Sequence, residues 1–218
     1  MTLARISAIV LAMLAIHVAA AESDLTASQR LLLAARNGDA AGVRRALEGG
    51  ASPDARNRLG QTALVMALGH GDVPLARTML AAGTNVNTAA LDGITPLMAA
   101  AYSGEAAMVE ELLVRGADVT ATDRLGKTAM VYAAGQGHAA VVRALLSHGV
   151  DVNALYRNEL TALMWAAGFG RDDALRTLLE AGARTDLRDN RGKTAAEIAR
   201  EAGYARTAEL LATPRQAY

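Results

Sequence analysis

No cysteine occurs among the 218 residues. A disulfide framework, a thiol nucleophile and a zinc-thiolate centre are therefore excluded. Lysine is nearly absent as well: of the 22 basic residues only Lys127 and Lys193 are lysines. The 22 acidic residues bring the formal charge to zero. A nucleic-acid binder needs a basic face to meet phosphates, and a balanced chain argues against one. Aromatics number only seven: five tyrosines, one tryptophan and one phenylalanine. There is no Gly-x-Ser-x-Gly elbow and no phosphate loop. Beyond the N-terminal stretch the histidines are His70, His138 and His148, in different parts of the chain, whereas a metal site needs several converging ligands. Carboxylates are scattered. No catalytic residue, cofactor or metal is expected, and the chain does not read as an enzyme.

One long apolar run is present. Met1 to Arg5 is short and positively charged, Ile6 to Val18 is almost wholly apolar, and Ala19-Ala20-Ala21 supplies small residues before Glu22. This is the layout of a secretory signal peptide, spanning 1–21 and cleaved after Ala21. A membrane span needs about 20 apolar residues, which this run does not reach. Loss of Arg5 leaves 21 basic against 22 acidic residues, or −1. No other segment is long enough to cross a bilayer. The alanine-rich signal and the arginine-dominated bases suggest a Gram-negative bacterium, hence the periplasm.

What the chain has in quantity is a period. Thr62, Thr95, Thr128, Thr161 and Thr194 stand 33 residues apart. Four of them follow a glycine two positions earlier (Gly60, Gly93, Gly126 and Gly192), and all five precede one nine positions later. Glycine before the threonine allows positive φ in a tight turn, and the threonine opens a first helix. Its inner face carries Leu64, Ala67 and Leu68 in one unit, Leu97, Ala100 and Ala101 in the next, and comparable sets thereafter. The second glycine closes that helix, and a second helix with a Met-Leu or Leu-Leu pair ends at Gly83, Gly116, Gly149 or Gly182. Fifteen of the 20 glycines fall in these registers. A fixed period of this length fixes the architecture. The units are 26–55, 56–88, 89–121, 122–154, 155–187 and 188–212. The first and last read as caps, and 213–218 as a frayed tail.

The stretch Gly93-Ile94-Thr95-Pro96-Leu97, followed by Ala100-Ala101, Gly104, Val109, Leu112-Leu113 and Gly116-Ala117-Asp118-Val119, resembles the ankyrin repeat. The resemblance covers Thr26 to about Ala212. It implies an all-α solenoid of helix-turn-helix units joined by hairpin-like turns, with 22–212 as one repeat domain. It also implies a non-catalytic protein-binding role through a concave face made of turn tips and first helices. Two departures stand out. The family's histidine, three residues after the threonine, is replaced by Val65, Met98, Val131, Met164 and Glu197, so its polar link back to the threonine is expected to be missing from every unit. In the fifth unit Glu159 replaces the turn glycine, which implies a strained turn or another turn shape using Asn158.

Carried onto this chain, the concave positions include Leu91, Ile94 and Tyr102, then Arg124 and Leu125, then Tyr156, Arg157, Leu160, Trp165 and Phe169. Five of the seven aromatics, Tyr132 included, occur in the third to fifth units at turn or first-helix positions. Tyrosine, tryptophan and arginine dominate interface hot spots, so a contact patch is expected there. Tyr132 and Trp165 read equally well as packing between units. The expected partner is another exported protein, with no nucleic acid, no membrane after signal cleavage and no metal. The role expected is an accessory or scaffold; the alternative is a secreted effector engaging host proteins.

Overall fold

The computed structural model describes residues 25–212. The expected signal segment 1–21 and the tail 213–218 lie outside the described residues. Among those described there are twelve α-helices and no strand. They run in pairs: α1 (Ala27–Arg36) with α2 (Ala40–Glu48), α3 (Ala63–Gly69) with α4 (Val73–Ala81), α5 (Pro96–Ser103) with α6 (Ala106–Val114), α7 (Ala129–Gln136) with α8 (Ala139–Ser147), α9 (Ala162–Gly168) with α10 (Asp172–Glu180), and α11 (Ala195–Glu201) with α12 (Ala205–Ala212). The odd-numbered helices form an inner row, each touching the next; the even-numbered helices form an outer row in thinner contact. The chain is an all-helical ankyrin-type solenoid. No described helix is long and apolar enough to cross a membrane.

Each inner helix after the first starts for the same local reason. The threonine is extended, and its Oγ accepts from the N–H three residues on, at 3.2–3.4 Å in all five units. That satisfies one of the free N–H groups at a helix start and contributes about 1 kcal/mol. The neighbours then come close because the residue five beyond the threonine is alanine, as Ala67, Ala100, Ala133, Ala166 and Ala199, all buried. The fifteen glycines in the repeat registers are the fifteen that adopt positive φ. Gly104 has a second reason to lack a side chain. A Cβ there would lie 2.6 Å from the His138 ring of the following unit.

That His138 contact belongs to a set of fasteners. Ser103 Oγ donates to Leu68 O at 2.8 Å, His138 Nε2 lies 2.9 Å from Tyr102 O, and Arg171 Nε donates to Gly135 O at 3.0 Å. The carbonyls of Tyr102 and Gly135, at the C-terminal end of the preceding inner helix, have no other donor among the described residues; that of Leu68 also accepts from Gly71 N–H, and at all three a donor suits the helix dipole. Two further ladders tie the turns together. At the tips, Leu91 N–H donates to Leu59 O, Arg124 N–H to Asp92 O, and Asn190 N–H to Asn158 O. In the linkers, Asp54 accepts from Asn85 N–H, Asn87 from Asp118 N–H, and Asn153 from Arg184 N–H.

Each ladder skips one rung, and both gaps fall between the turn segments 119–126 and 150–157. Between the fourth and fifth units the tip bond from Arg157 N–H to Leu125 O is not made, and the Arg157 guanidinium reaches that carbonyl instead, at 3.4 Å. In the linker Thr120 stands where the other seams have Asp or Asn, and its hydroxyl turns back to its own Asp118. A cleft of about 790 Å3 opens at this seam between Thr120, Gly149, Leu155 and Arg157. The turn above it is the one without glycine. Its hydrogen bonds are kept, Tyr156 N–H to Leu160 O and Glu159 N–H to Tyr156 O. Keeping them holds Asn158 at φ 62° and Glu159 at φ 60°, both left-handed. The turn is thus both reshaped and strained: Asn158 is left-handed where Leu59, Asp92, Leu125 and Arg191 of the other turns are not, and the glutamate beside it costs about 1–2 kcal/mol.

The expectation that the polar link to the threonine is missing from every unit is corrected at two positions. Glu197 Oε2 accepts from both Thr194 N–H and Thr194 Oγ, at 2.8 and 2.9 Å. Met164 Sδ accepts weakly from Thr161 N–H at 3.4 Å. A carboxylate and a thioether are acceptors that can replace the missing imidazole.

Two outcomes follow. Thr120→Asn restores a linker clamp, and Glu159→Gly relieves the left-handed turn; each raises stability by about 1 kcal/mol in urea unfolding. In the last unit, burial alone would raise the Asp189 carboxyl, but the Lys193 N–H and the Arg191 side chain outweigh it and hold it below its usual value. The N–H and hydroxyl of Thr194 do the same for Glu197. Carboxyls depressed in the fold stabilise it above their unfolded pKa and lose that contribution as pH falls through the folded value. Amide exchange in α11 therefore accelerates below about pH 4 before it does in α5, and Asp189→Asn together with Glu197→Gln removes the difference.

Candidate binding face

The turn tips and the inner helices enclose one concave side. Its longest feature is a trough of about 800 Å3 over the first four units, floored by Val65, Met66, Ile94, Met98 and Ala99 and edged by Arg36, Arg58, Leu59 and His70. Tyr102 and Tyr132 close its far end, and both also line a smaller hollow with Lys127, Gln136, Trp165, Phe169 and Arg171. Lys127, Val131 and Trp165 pass into a third hollow with Leu125, Tyr156, Arg157 and Asn158. Shared residues make the three a single winding groove.

The aromatics form its middle. Tyr102 meets Tyr132 edge-on, with ring centroids 6.0 Å apart, and Trp165 stacks on Phe169 at the same distance, 14° from parallel. Lys127 bridges the two pairs, its Nζ 5.5 Å from the Tyr132 ring and 5.1 Å from the Trp165 ring. A cation above an aromatic face is held by the ring quadrupole. The geometry comes from the repeat. Tyr132 and Trp165 are the same register of α7 and α9, and Lys127 sits in the turn just before α7. Asp123 anchors that turn. One oxygen accepts from Leu125 N–H and Lys127 N–H, both at 2.8 Å, and the other accepts from Tyr132 Oη at 2.6 Å. Burial first, and then the Asp123 carboxylate, push the Tyr132 phenol well above its usual pKa. It stays a neutral donor throughout the physiological range.

The expected positions divide sharply. Tyr102 and Phe169 are about half exposed, at 51% and 46%, and stand in the groove. Leu125 and Arg157 are exposed beside it. Trp165 is half-buried, showing a ring to Lys127 while its Nε1 is buried without a hydrogen-bond partner. Leu91 is exposed at a tip, with its side chain against Gly60 of the preceding turn. Arg124 is exposed on the cleft side of the fourth seam rather than in the groove. Ile94, Leu160 and Tyr156 are partly buried and packed on the core.

Tyr156 lines the third hollow, yet its place in a tip does not make it free. Its ring fills the position where other turns carry Asn57, Asp123 or Asp189, which bond their own backbone. Its hydroxyl is buried beside Thr128 without good hydrogen-bond geometry. Lys127 was legible as a turn position facing the groove, since it follows Gly126 in the repeating turn. Sequence reasoning passed over Arg36, Arg171, Met66 and Met98. These four reach the groove through packing between units, which no local pattern reveals. Among the described residues no group of three or more histidine, aspartate or glutamate side chains is placed to hold a metal ion.

Against known proteins, a family profile described as ankyrin repeats (3 copies) matches residues 31–123, 74–156, 109–189 and 154–217, which together span most of the chain. No individual curated protein matches it.

Substitution to alanine separates the two kinds of aromatic. Tyr156→Ala lowers unfolding stability by about 2–3 kcal/mol, since it empties a packed position under a strained turn. Phe169→Ala changes it by less than about 1 kcal/mol, because the ring is half exposed. Equal losses in a urea titration would contradict this placement.

Proposed function

The chain belongs to the ankyrin-repeat family, and from that premise we propose that it is a non-catalytic module holding another exported protein on its concave side. Repeats of this family generally mediate protein–protein interaction and are typically non-catalytic. The observation that carries the reading is the row Tyr102, Tyr132, Lys127, Trp165 and Phe169 in the groove. Aromatic side chains lose little conformational freedom on binding and contribute large contact areas, the usual makeup of an interface anchor. The helices and turns are preformed, so the array is ordered before a partner arrives and little ordering cost falls on it. The signal-like segment 1–21 supports export, and the periplasm is the compartment proposed. The role proposed there is that of an accessory or scaffold protein.

The test is a photo-cross-linking residue at Phe169, compared with one at Arg44 on the outer row, in cells producing the full chain. Capture of one defined protein from the Phe169 position, in the periplasmic fraction, is the expected result. Capture from Arg44 alone would move the interface to the outer helices. Recovery of the chain only from culture medium would favour the effector role.

A further inference from the structure

The groove is basic while the chain is not. Five arginine and lysine side chains line its three connected hollows, Arg36, Arg58, Lys127, Arg157 and Arg171, together with His70. No aspartate or glutamate lines any of the three. With 22 bases and 22 acids in the chain, that is a segregation of charge and not a reflection of composition. The exposed tip acids Asp92 and Glu159 do not line the groove, and Asp123 is buried and bonded to Tyr132. Nor are the groove's bases neutralised from within. The nine ion pairs among the described residues involve other bases, and the second lysine, Lys193, is taken by Glu201. Lys127 is held only by two aromatic faces. Between the bases the floor is apolar, through Met66, Met98 and the aromatic row.

We propose that the groove takes an extended acidic protein segment in which carboxylates alternate with leucine- or phenylalanine-like side chains. The carboxylates meet the basic edges, from Arg58 at one end to Lys127 and Arg171 at the other, and the apolar side chains enter the floor. An interface with positive potential favours a negative partner, speeds encounter and disfavours basic competitors. A single-stranded nucleic acid shares the need for bases and aromatics. It would stack successive bases on exposed rings, whereas here one face each of Tyr132 and Trp165 is engaged by Lys127. The proposal rests on the protein-binding reading above and specifies its partner.

Trp165 is the only tryptophan, so its emission reports the groove directly. The full chain is titrated with a twelve-residue peptide alternating aspartate with leucine and phenylalanine, with its asparagine counterpart, with its arginine counterpart, and with a single-stranded oligonucleotide. The acidic peptide is expected to change Trp165 emission and to bind at least tenfold more tightly than each of the others, with affinity falling as salt rises. The double variant Arg58→Glu/Lys127→Glu weakens it at least tenfold. Arg44→Glu/Arg176→Glu, with the same change of net charge on the outer row, leaves it within about twofold; thermal melts check that both variants fold. The proposal is overturned if no peptide binds, if the asparagine peptide or the oligonucleotide binds as well, or if the outer-row variant does equal harm. Capture of a partner at Phe169 through a neutral or basic segment would overturn it while leaving the protein-binding reading standing. Failure of capture at Phe169 removes that reading itself.

Discussion

The distance between neighbouring inner helices is the constraint on which the rest depends. Alanine at the buried contact register keeps that distance short, and the left-handed glycine at the helix end lets the following unit's side chain lie across it. Only at such a distance can Ser103, His138 and Arg171 reach carbonyls one unit back. Close approach also brings Tyr102 against Tyr132, and Lys127 between two rings, from residues far apart in sequence. The packing of the core and the makeup of the groove are therefore one problem. A larger side chain at Ala133 would push apart the rings on the surface as well as the helices beneath it.

The division of labour between the two helix rows follows from the same geometry. Inner helices give one side to the core and the other to the groove, so their surface residues are few and closely set. Outer helices carry salt bridges such as Arg115 with Glu111, which are exposed and contribute little. That leaves the concave side free to hold unneutralised charge at small cost to the fold. An array that shared its charges evenly would have no such imbalance to present.

Much of the fold could be read from the sequence because it is carried by single residues at fixed registers. The threonine caps, the buried alanines and the fifteen left-handed glycines each act locally, and a period of 33 exposes them. The candidate face was less legible. Tip position alone did not tell how far Tyr156, Ile94 and Leu160 pack on the core, because whether a tip side chain turns inward depends on the polar side chain it replaces and on the turn beside it. Asn57, Asp123 and Asp189 spend their side chains on their own backbone, whereas a tyrosine at that register has no such bonds to make and enters the core. Glu197 shows the converse: a residue that breaks a family pattern by identity can restore it by chemistry, since a carboxylate accepts the same bonds from Thr194.

The turn segments 119–126 and 150–157, where both hydrogen-bond ladders skip a rung, pass the task of joining neighbours from backbone to side chains. Elsewhere a tip or linker N–H meets an acceptor one unit back. Here the inner helices α7 and α9 stay in contact like the other inner neighbours, and Arg143 Nη1 donates to Thr177 Oγ across the outer row at 3.1 Å. Arg171 adds its bond to Gly135 O, and Lys127 lies over the Trp165 ring. The contact of Lys127 with Trp165 therefore belongs to the joint as well as to the groove, so a partner that displaced it would act on both.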